Sequence, residues 1–125
     1  MHTLLKSTLF VVLLCTAPLL HAHGDPVPQH GGIIKVSKDI TFELVVRPQG
    51  ASVYLDDHGS PIPTANLVGS LTAVKGLSKS EVELKPTGGN RLDAEGIEID
   101  GGAKVLARIA TADGARKFNV WFSVP

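Results

Sequence analysis

Two histidines near the start of the chain have the type and spacing to bind a metal ion. If the chain is cut after Ala22, His23 becomes the first residue and brings two nitrogen donors, its α-amine and its imidazole. These groups titrate near ~8 and ~6.5, so both are largely available to a metal at neutral pH. A second imidazole, that of His30, follows seven residues later, directly before Gly31-Gly32. The pattern predicts a nitrogen site that suits Cu(II), with Zn(II) or Ni(II) as alternatives.

Carboxylates and a third histidine extend this candidate site. We predict that His23 binds through its amine and ring and that His30 binds through its ring. The residues that would complete the shell are Asp25, Asp57 and His58. In a simple up-and-down meander, His30 begins the first strand and His58 ends the third, about 15–20 Å away. The expected pair is therefore His23 with His30.

Each of these residues also has a purely structural interpretation. His23 then merely follows the cut, and a terminal histidine without a further ligand has no role. His30 is an exposed residue at a strand entry, and His58 belongs to a solvated turn behind two aspartates. A metal site shared between two copies of the chain is a further alternative.

Residues 1–22 have the three parts of a secretory signal peptide. Lys6 supplies positive charge, an apolar run extends from Thr8 to Leu20, and the small residue Ala22 precedes the expected cut. The apolar run is shorter than the roughly 20 residues that cross a bilayer. We therefore expect export to the periplasm and no membrane span after the signal is removed.

Composition excludes several function classes. The chain of 125 residues carries 12 Lys and Arg against 12 Asp and Glu, so its net charge gives no reason to expect nucleic acid or anionic lipid as a partner. The one cysteine, Cys15, leaves with the signal, which excludes thiolate ligands from the exported protein. No catalytic triad or phosphate-binding glycine loop is recognisable, so we expect no enzyme activity and no cofactor beyond a divalent metal ion, Cu or Zn.

The pattern of the remaining chain predicts an all-β protein. Residues 23–32 are expected to form an extended N-terminal arm, and residues 33–125 a single domain. Ile40 to Arg47 alternates between apolar and polar positions, as in a half-buried strand, and Asp113-Gly114 marks a hairpin. About seven such strands favour an antiparallel β-sandwich of the Ig-like type, with a small closed barrel as the alternative.

Several segments resemble a small periplasmic β-domain that occurs in and beside the adaptor (membrane-fusion) proteins of RND-type heavy-metal efflux systems. The segments are His30-Gly31-Gly32, Phe42-Glu43-Leu44-Val45, Val53 to Ile62 and Gly89-Asn90-Arg91-Leu92. They are similar to that domain's His-Gly-Gly start, its Glu-Leu-Val strand, its tyrosine-containing turn and its late Gly-x-Asn turn. The chain lacks the helical hairpin, lipoyl-like and barrel segments of a full adaptor, so it resembles a free-standing version of the domain.

The resemblance implies a periplasmic accessory protein that binds or hands over Cu, Zn or a related ion, with an RND-type adaptor as a partner. The only methionine is Met1, which favours Cu(II) or Zn(II) over Cu(I). One alternative is an interaction module that docks onto an envelope protein without using metal. Another is a copper oxidase with a terminal histidine brace, for which the chain is short and its aromatic content of 5% is low.

Overall fold

The computed structural model describes residues 25–125, so the predicted signal peptide and His23 lie outside the described residues. This part of the chain consists of β-strands joined by turns and loops. The strands are β1 (Ile33–Ser37), β2 (Ile40–Arg47), β3 (Gly50–Asp57), β4 (Ser60–Pro61), β5 (Leu67–Lys75), β6 (Ser78–Gly88), β7 (Arg91–Glu95), β8 (Lys104–Thr111) and β9 (Lys117–Ser123).

All of the strands pair in antiparallel fashion in one sheet, in the order β1-β2-β3-β7-β6-β5-β8-β9, with the short β4 paired to the end of β3. Strands β5, β6 and β7 follow one another, and β8 returns to lie beside β5, which is a Greek-key arrangement. The two outermost strands, β1 and β9, lie side by side. Lys38 Nζ crosses between them and donates to the Lys117 carbonyl oxygen at 2.6 Å. The sheet is therefore rolled into a nearly closed barrel.

The core fills the inside of the rolled sheet. Alternate residues of β2 point inward, and Ile40, Phe42 and Leu44 are at most 3% exposed, which matches the two-residue period of a strand. At the other end of the chain Phe118 contributes to the same core, with its ring centroid 5.3 Å from that of Phe42. Burying each such side chain contributes roughly 1.5–3 kcal/mol.

The prediction of an all-β, antiparallel domain is confirmed, and the finer prediction of an Ig-like sandwich with about seven strands is not. Residues 25–125 form nine strands, and the sheet is closer to the barrel given as the alternative. The additional strands are β4 and β7. Strand β7 falls where the sequence pattern is irregular, yet it buries Leu92 and Ala94 because it completes the pairing of β3 on one side and β6 on the other.

Between residues 25 and 125 the structure contains no helix with the length and apolar character needed to cross a bilayer.

Candidate functional site

A buried carboxylate anchors the N-terminal arm to the outer face of the sheet. Glu43 lies on β2 and points away from the core, yet it is only 3% exposed because residues 29–32 lie over it. Glu43 Oε2 accepts the amides of His30 and Gly32, both at 2.8 Å. Oε1 accepts the amide of Gln29 at 2.9 Å and lies 3.1 Å from His30 Nδ1. Four hydrogen bonds therefore converge on one side chain.

Two glycines allow the arm to approach Glu43 so closely. Gly31 has a φ of +70°, a left-handed conformation that glycine adopts without steric cost. A Cβ at Gly32 would clash with the carbonyl oxygen of Leu44, so no larger residue fits without moving the backbone. The His30-Gly31-Gly32 sequence thus turns the chain and brings its amides within hydrogen-bonding distance of the Glu43 carboxylate.

Glu43 is ionised in this environment. Burial alone would raise the pKa of Glu43, but the hydrogen bonds from the Gly32 amide, the His30 ring and the His30 and Gln29 amides outweigh it and hold the pKa below its usual range. An ionised carboxylate only accepts hydrogen bonds, so His30 Nδ1 is the donor in the ring contact. In its neutral form the His30 ring then carries its lone pair on Nε2.

The His30 ring also has a stacking contact on one of its faces. It stacks on Tyr54 of β3, with 3.6 Å between the ring centroids and 8° between the planes. Glu43 and Tyr54 are direct partners in the ladder between β2 and β3, so both contacts with His30 arise from one pair of opposed residues. The His30 side chain is nevertheless 41% exposed. Its ring is fixed in orientation and accessible to a ligand.

Beside this pair, a second ionic network continues along the outer face of β3 and β7. Arg91 lies near Tyr54, with its guanidinium carbon 5.8 Å from the ring centroid. It binds Asp93 through two hydrogen bonds, at 2.7 and 3.0 Å, and Asp93 also accepts the Ser52 hydroxyl at 2.8 Å. Burial raises the pKa of Asp93, but the Arg91 and Ser52 hydrogen bonds and the charges of Arg91 and Arg47 bring it below its usual range.

A groove of about 860 Å³ runs along the outer face next to His30. Apolar side chains line part of it, including Val27 and Val36, which are 68% and 54% exposed. Its other lining residues include the carboxylates Asp25, Asp39, Asp56 and Glu43, and both His30 and His58. Both histidines border this groove, because the arm lies over β2 and β3, where His30 contacts Glu43 and Tyr54.

His58 occupies a different electrostatic environment from His30. It lies in the turn after β3 with a φ of +48°, and its Nδ1 is 2.7 Å from Asp57 Oδ1. The hydrogen bond and charge of Asp57, together with the charges of Asp39 and Asp56, raise the pKa of His58. Because metal ions bind the neutral imidazole, a ring that retains its proton is the poorer ligand.

The remaining predicted ligands are spread around the groove. Asp25 is exposed at the start of the described chain and borders the groove. Asp57 is exposed at the end of β3 and contacts His58, and His23 lies outside the described residues. Within residues 25–125, no three His, Cys, Asp or Glu side chains are close enough to hold a metal ion together. The described chain therefore supplies one oriented imidazole, and a complete metal shell requires ligands from elsewhere.

The sequence patterns single out neither Glu43 nor Tyr54 as a functional residue. One signal for Glu43 is present, since it is the only charged residue between Ile40 and Val46 in an otherwise apolar strand. Its partners leave no such signal, because three of its four hydrogen bonds come from backbone amides. Tyr54 is recognisable only once the ladder places it opposite Glu43.

Searches of protein-family models, curated proteins and solved structures find no match to this chain. The resemblance to the efflux accessory domain therefore depends on the motifs of this sequence. The functional interpretation depends on the geometry around His30.

The lowered pKa values of Glu43 and Asp93 predict that stability depends on pH. In the unfolded chain these groups titrate near 4.5 and 3.8, and in the folded chain they titrate lower. Their contribution is therefore fully present above about pH 5 and is lost as the pH falls through the folded values. We expect the free energy of unfolding, measured with urea, to fall steadily below about pH 4. A double variant, Glu43→Gln with Asp93→Asn, should be less stable at neutral pH, and its free energy of unfolding should fall less steeply as the pH is lowered below about 4. If the free energy of unfolding of the variant falls as steeply as that of the wild type, these two carboxylates do not cause the acid dependence.

Proposed function

We propose that this protein is a periplasmic metal-binding accessory that binds Cu(II) or Zn(II) through His30 and the N-terminal residue His23. The observation that carries the proposal is the Glu43–His30 pair. In metal sites, the ligating histidine generally donates its other ring N–H to a carboxylate or carbonyl oxygen, which fixes the tautomer and makes the free nitrogen more basic. Among the described residues His30 has that arrangement, with Nδ1 bound to a buried carboxylate and the lone pair of the neutral ring on Nε2.

His23 is the natural second ligand. Two residues of chain keep the Cα of His23 within about 7 Å of the Cα of Asp25, and Asp25 borders the same groove as His30. If export exposes His23 as the first residue, its amine and ring join the His30 ring to give three nitrogen donors. A carboxylate such as Asp25 would add an oxygen. Cu(II) favours such tetragonal nitrogen and oxygen sets, and Zn(II) accepts them.

The resemblance to the adaptor-associated domain supports a role in heavy-metal efflux. A small carrier that presents a metal on an exposed arm could deliver it to an RND-type adaptor or receive it from one. The 41% exposure of the His30 side chain is consistent with transfer, because a bound ion would remain accessible to an incoming ligand. Deep structural metal sites, in contrast, are closed on all sides.

The free amine of the first residue provides the test. Calorimetric titration with Cu(II) and Zn(II) is done on protein that begins at His23 with a free amine and on the same protein with that amine acetylated. Acetylation removes the amine as a donor and with it the chelate of the terminal residue. We expect binding to weaken by about 100-fold, the usual scale for the loss of one linked donor group. Equal affinity of the two proteins, or no binding by either, would refute the proposal.

The groove favours a second candidate function, in which the domain is a docking module for an envelope protein. Val27 and Val36 are exposed apolar side chains on this groove, and Asp25, Asp39 and Asp56 add negative charge. Such a surface suits a basic, partly aliphatic segment of an adaptor. The double variant His23→Ala, His30→Ala distinguishes the two functions. If metal tolerance and adaptor binding both persist in that variant, the docking function is correct and the metal is irrelevant.

A further inference from the structure

Charge is distributed unevenly around the rolled sheet, although the formal net charge of the chain is zero. Strands β8 and β9 carry three exposed cations, Lys104, Arg108 and Lys117, and neither strand contains a carboxylate. Within residues 25–125, none of these three cations forms an ion pair. The groove on the β1–β3 side, in contrast, is bordered by four carboxylates.

The outer face of β5, β8 and β9 combines this charge with an exposed tryptophan. Alternate residues of each strand point into the core, and the residues between them point outward. On the outer face, residues that lie opposite one another on β5, β8 and β9 form four rows across the strands. The rows are Val74-Lys104-Ser123, Thr72-Leu106-Trp121, Ser70-Arg108-Asn119 and Val68-Ala110-Lys117. These twelve positions hold three cations and no carboxylate. Continued by one strand onto β6, two of the rows reach Glu81 and Glu83. We call these four rows the β8–β9 face.

Trp121 is the apolar centre of the β8–β9 face. It is 52% exposed, although its partner across the ladder, Leu106, is only 6% exposed. Lys104 and Arg108 are the diagonal neighbours of Trp121 on β8, a distance of about 7–8 Å that long side chains span easily. The position of Trp121 in the ladder is thus flanked by two cationic positions.

We propose that the β8–β9 face binds the surface of an anionic phospholipid bilayer. Tryptophan is enriched at the headgroup level of membranes, where its apolar ring and its N–H are both accommodated. Lysine and arginine close to an anionic leaflet each strengthen binding by about fivefold. Since the sheet is rolled around its core, this face is convex. A convex face cannot enclose a small molecule, but it can lie against a broad charged surface. The inference is independent of the proposed metal site, which occupies a different face.

Vesicle binding tests the inference directly. Protein beginning at His23 is mixed with vesicles of phosphatidylcholine alone and with vesicles of equal parts phosphatidylcholine and phosphatidylglycerol. We expect co-sedimentation with the anionic vesicles only, and loss of binding at about 1 M salt, where charges are screened beyond about 3 Å. Trp121 is the only tryptophan of the chain, so its emission should shift to the blue as it enters the headgroup layer.

Matched variants assign the binding to this face. The double variant Lys104→Glu, Arg108→Glu should reduce vesicle binding by more than about tenfold, and Trp121→Ala should reduce it without changing its salt dependence. Lys75→Glu with Lys85→Glu makes the same change in net charge outside the four rows and should bind nearly as well as the wild type. Thermal melting of each variant shows that it folds.

Three outcomes would overturn the proposal. One is the absence of binding to anionic vesicles, and another is equal loss of binding in the two double variants. The third is an equal blue shift of Trp121 with soluble glycerol 3-phosphate or with poly-glutamate, which would assign the face to a small anion or to an acidic protein partner.

Discussion

Replacing Glu43 with alanine should reduce the free energy of unfolding by about 2–4 kcal/mol, because a buried carboxylate that accepts several hydrogen bonds is lost. The amides of Gln29, His30 and Gly32 lose their common acceptor, and the arm should separate from the sheet. Urea unfolding measures the first effect. Amide hydrogen exchange of residues 29–32 measures the second, and we expect their protection to fall to that of a free segment.

The same replacement should weaken metal binding by about 10–100-fold, the usual cost of removing the carboxylate that orients a ligating histidine. Glu81→Ala provides the control, since Glu81 is an exposed glutamate on β6, three strands away from β2 in the sheet. Its stability should change by less than about 0.5 kcal/mol. If Glu43→Ala unfolds like the Glu81 control and its arm amides stay protected, Glu43 does not anchor the arm.

Replacing His30 with alanine should weaken Cu(II) binding by at least about 100-fold, because the terminal chelate then lacks its third nitrogen. Tyr54 supplies the measurement. It is the only tyrosine in the chain, and its ring lies 3.6 Å from that of His30, so copper on His30 should quench its emission. A Trp121→Phe background removes the tryptophan signal and leaves tyrosine emission alone.

His58→Ala is the matched control, because it removes an imidazole that borders the same groove. We expect its Cu(II) affinity to stay within about threefold of the wild type, since His58 is exposed and its charge is screened. Loss of binding in His58→Ala with retention in His30→Ala would reverse the assignment. The ion would then belong beside Asp57 and Asp56, and the Glu43–His30 pair would be structural.

Apart from β4 and β7, strand positions and turns were predictable because they depend on local pattern. The alternation from Ile40 to Arg47 matches β2, and Asp113-Gly114 lies in the turn between β8 and β9, where Gly114 has a φ of +75°. Strand pairing was not predictable, because β3 with β7 and β5 with β8 join segments that are far apart in sequence. The choice between a sandwich and a rolled sheet depends on those pairings.

The candidate site was predictable only in part. The spacing of His23 and His30 and the two glycines that follow are visible in the sequence. The orientation of the His30 ring is not, because it depends on a carboxylate 13 residues away and on a tyrosine one strand further. The contrast between His30 and His58 also needed the structure, since each is close to a carboxylate but only the one beside His30 is buried.

The protonation pattern of the His30 ring decides whether this histidine binds the metal through Nε2. Long-range proton–nitrogen NMR on uniformly ¹⁵N-labelled protein, before and after addition of Zn(II), distinguishes the two ring nitrogens. We predict that Nδ1 keeps the proton that it donates to Glu43 and that the chemical shift of Nε2 moves to the value of a zinc-bound nitrogen. Zinc bound at Nδ1, or zinc bound to the protein with the His30 ring unchanged, would contradict this prediction.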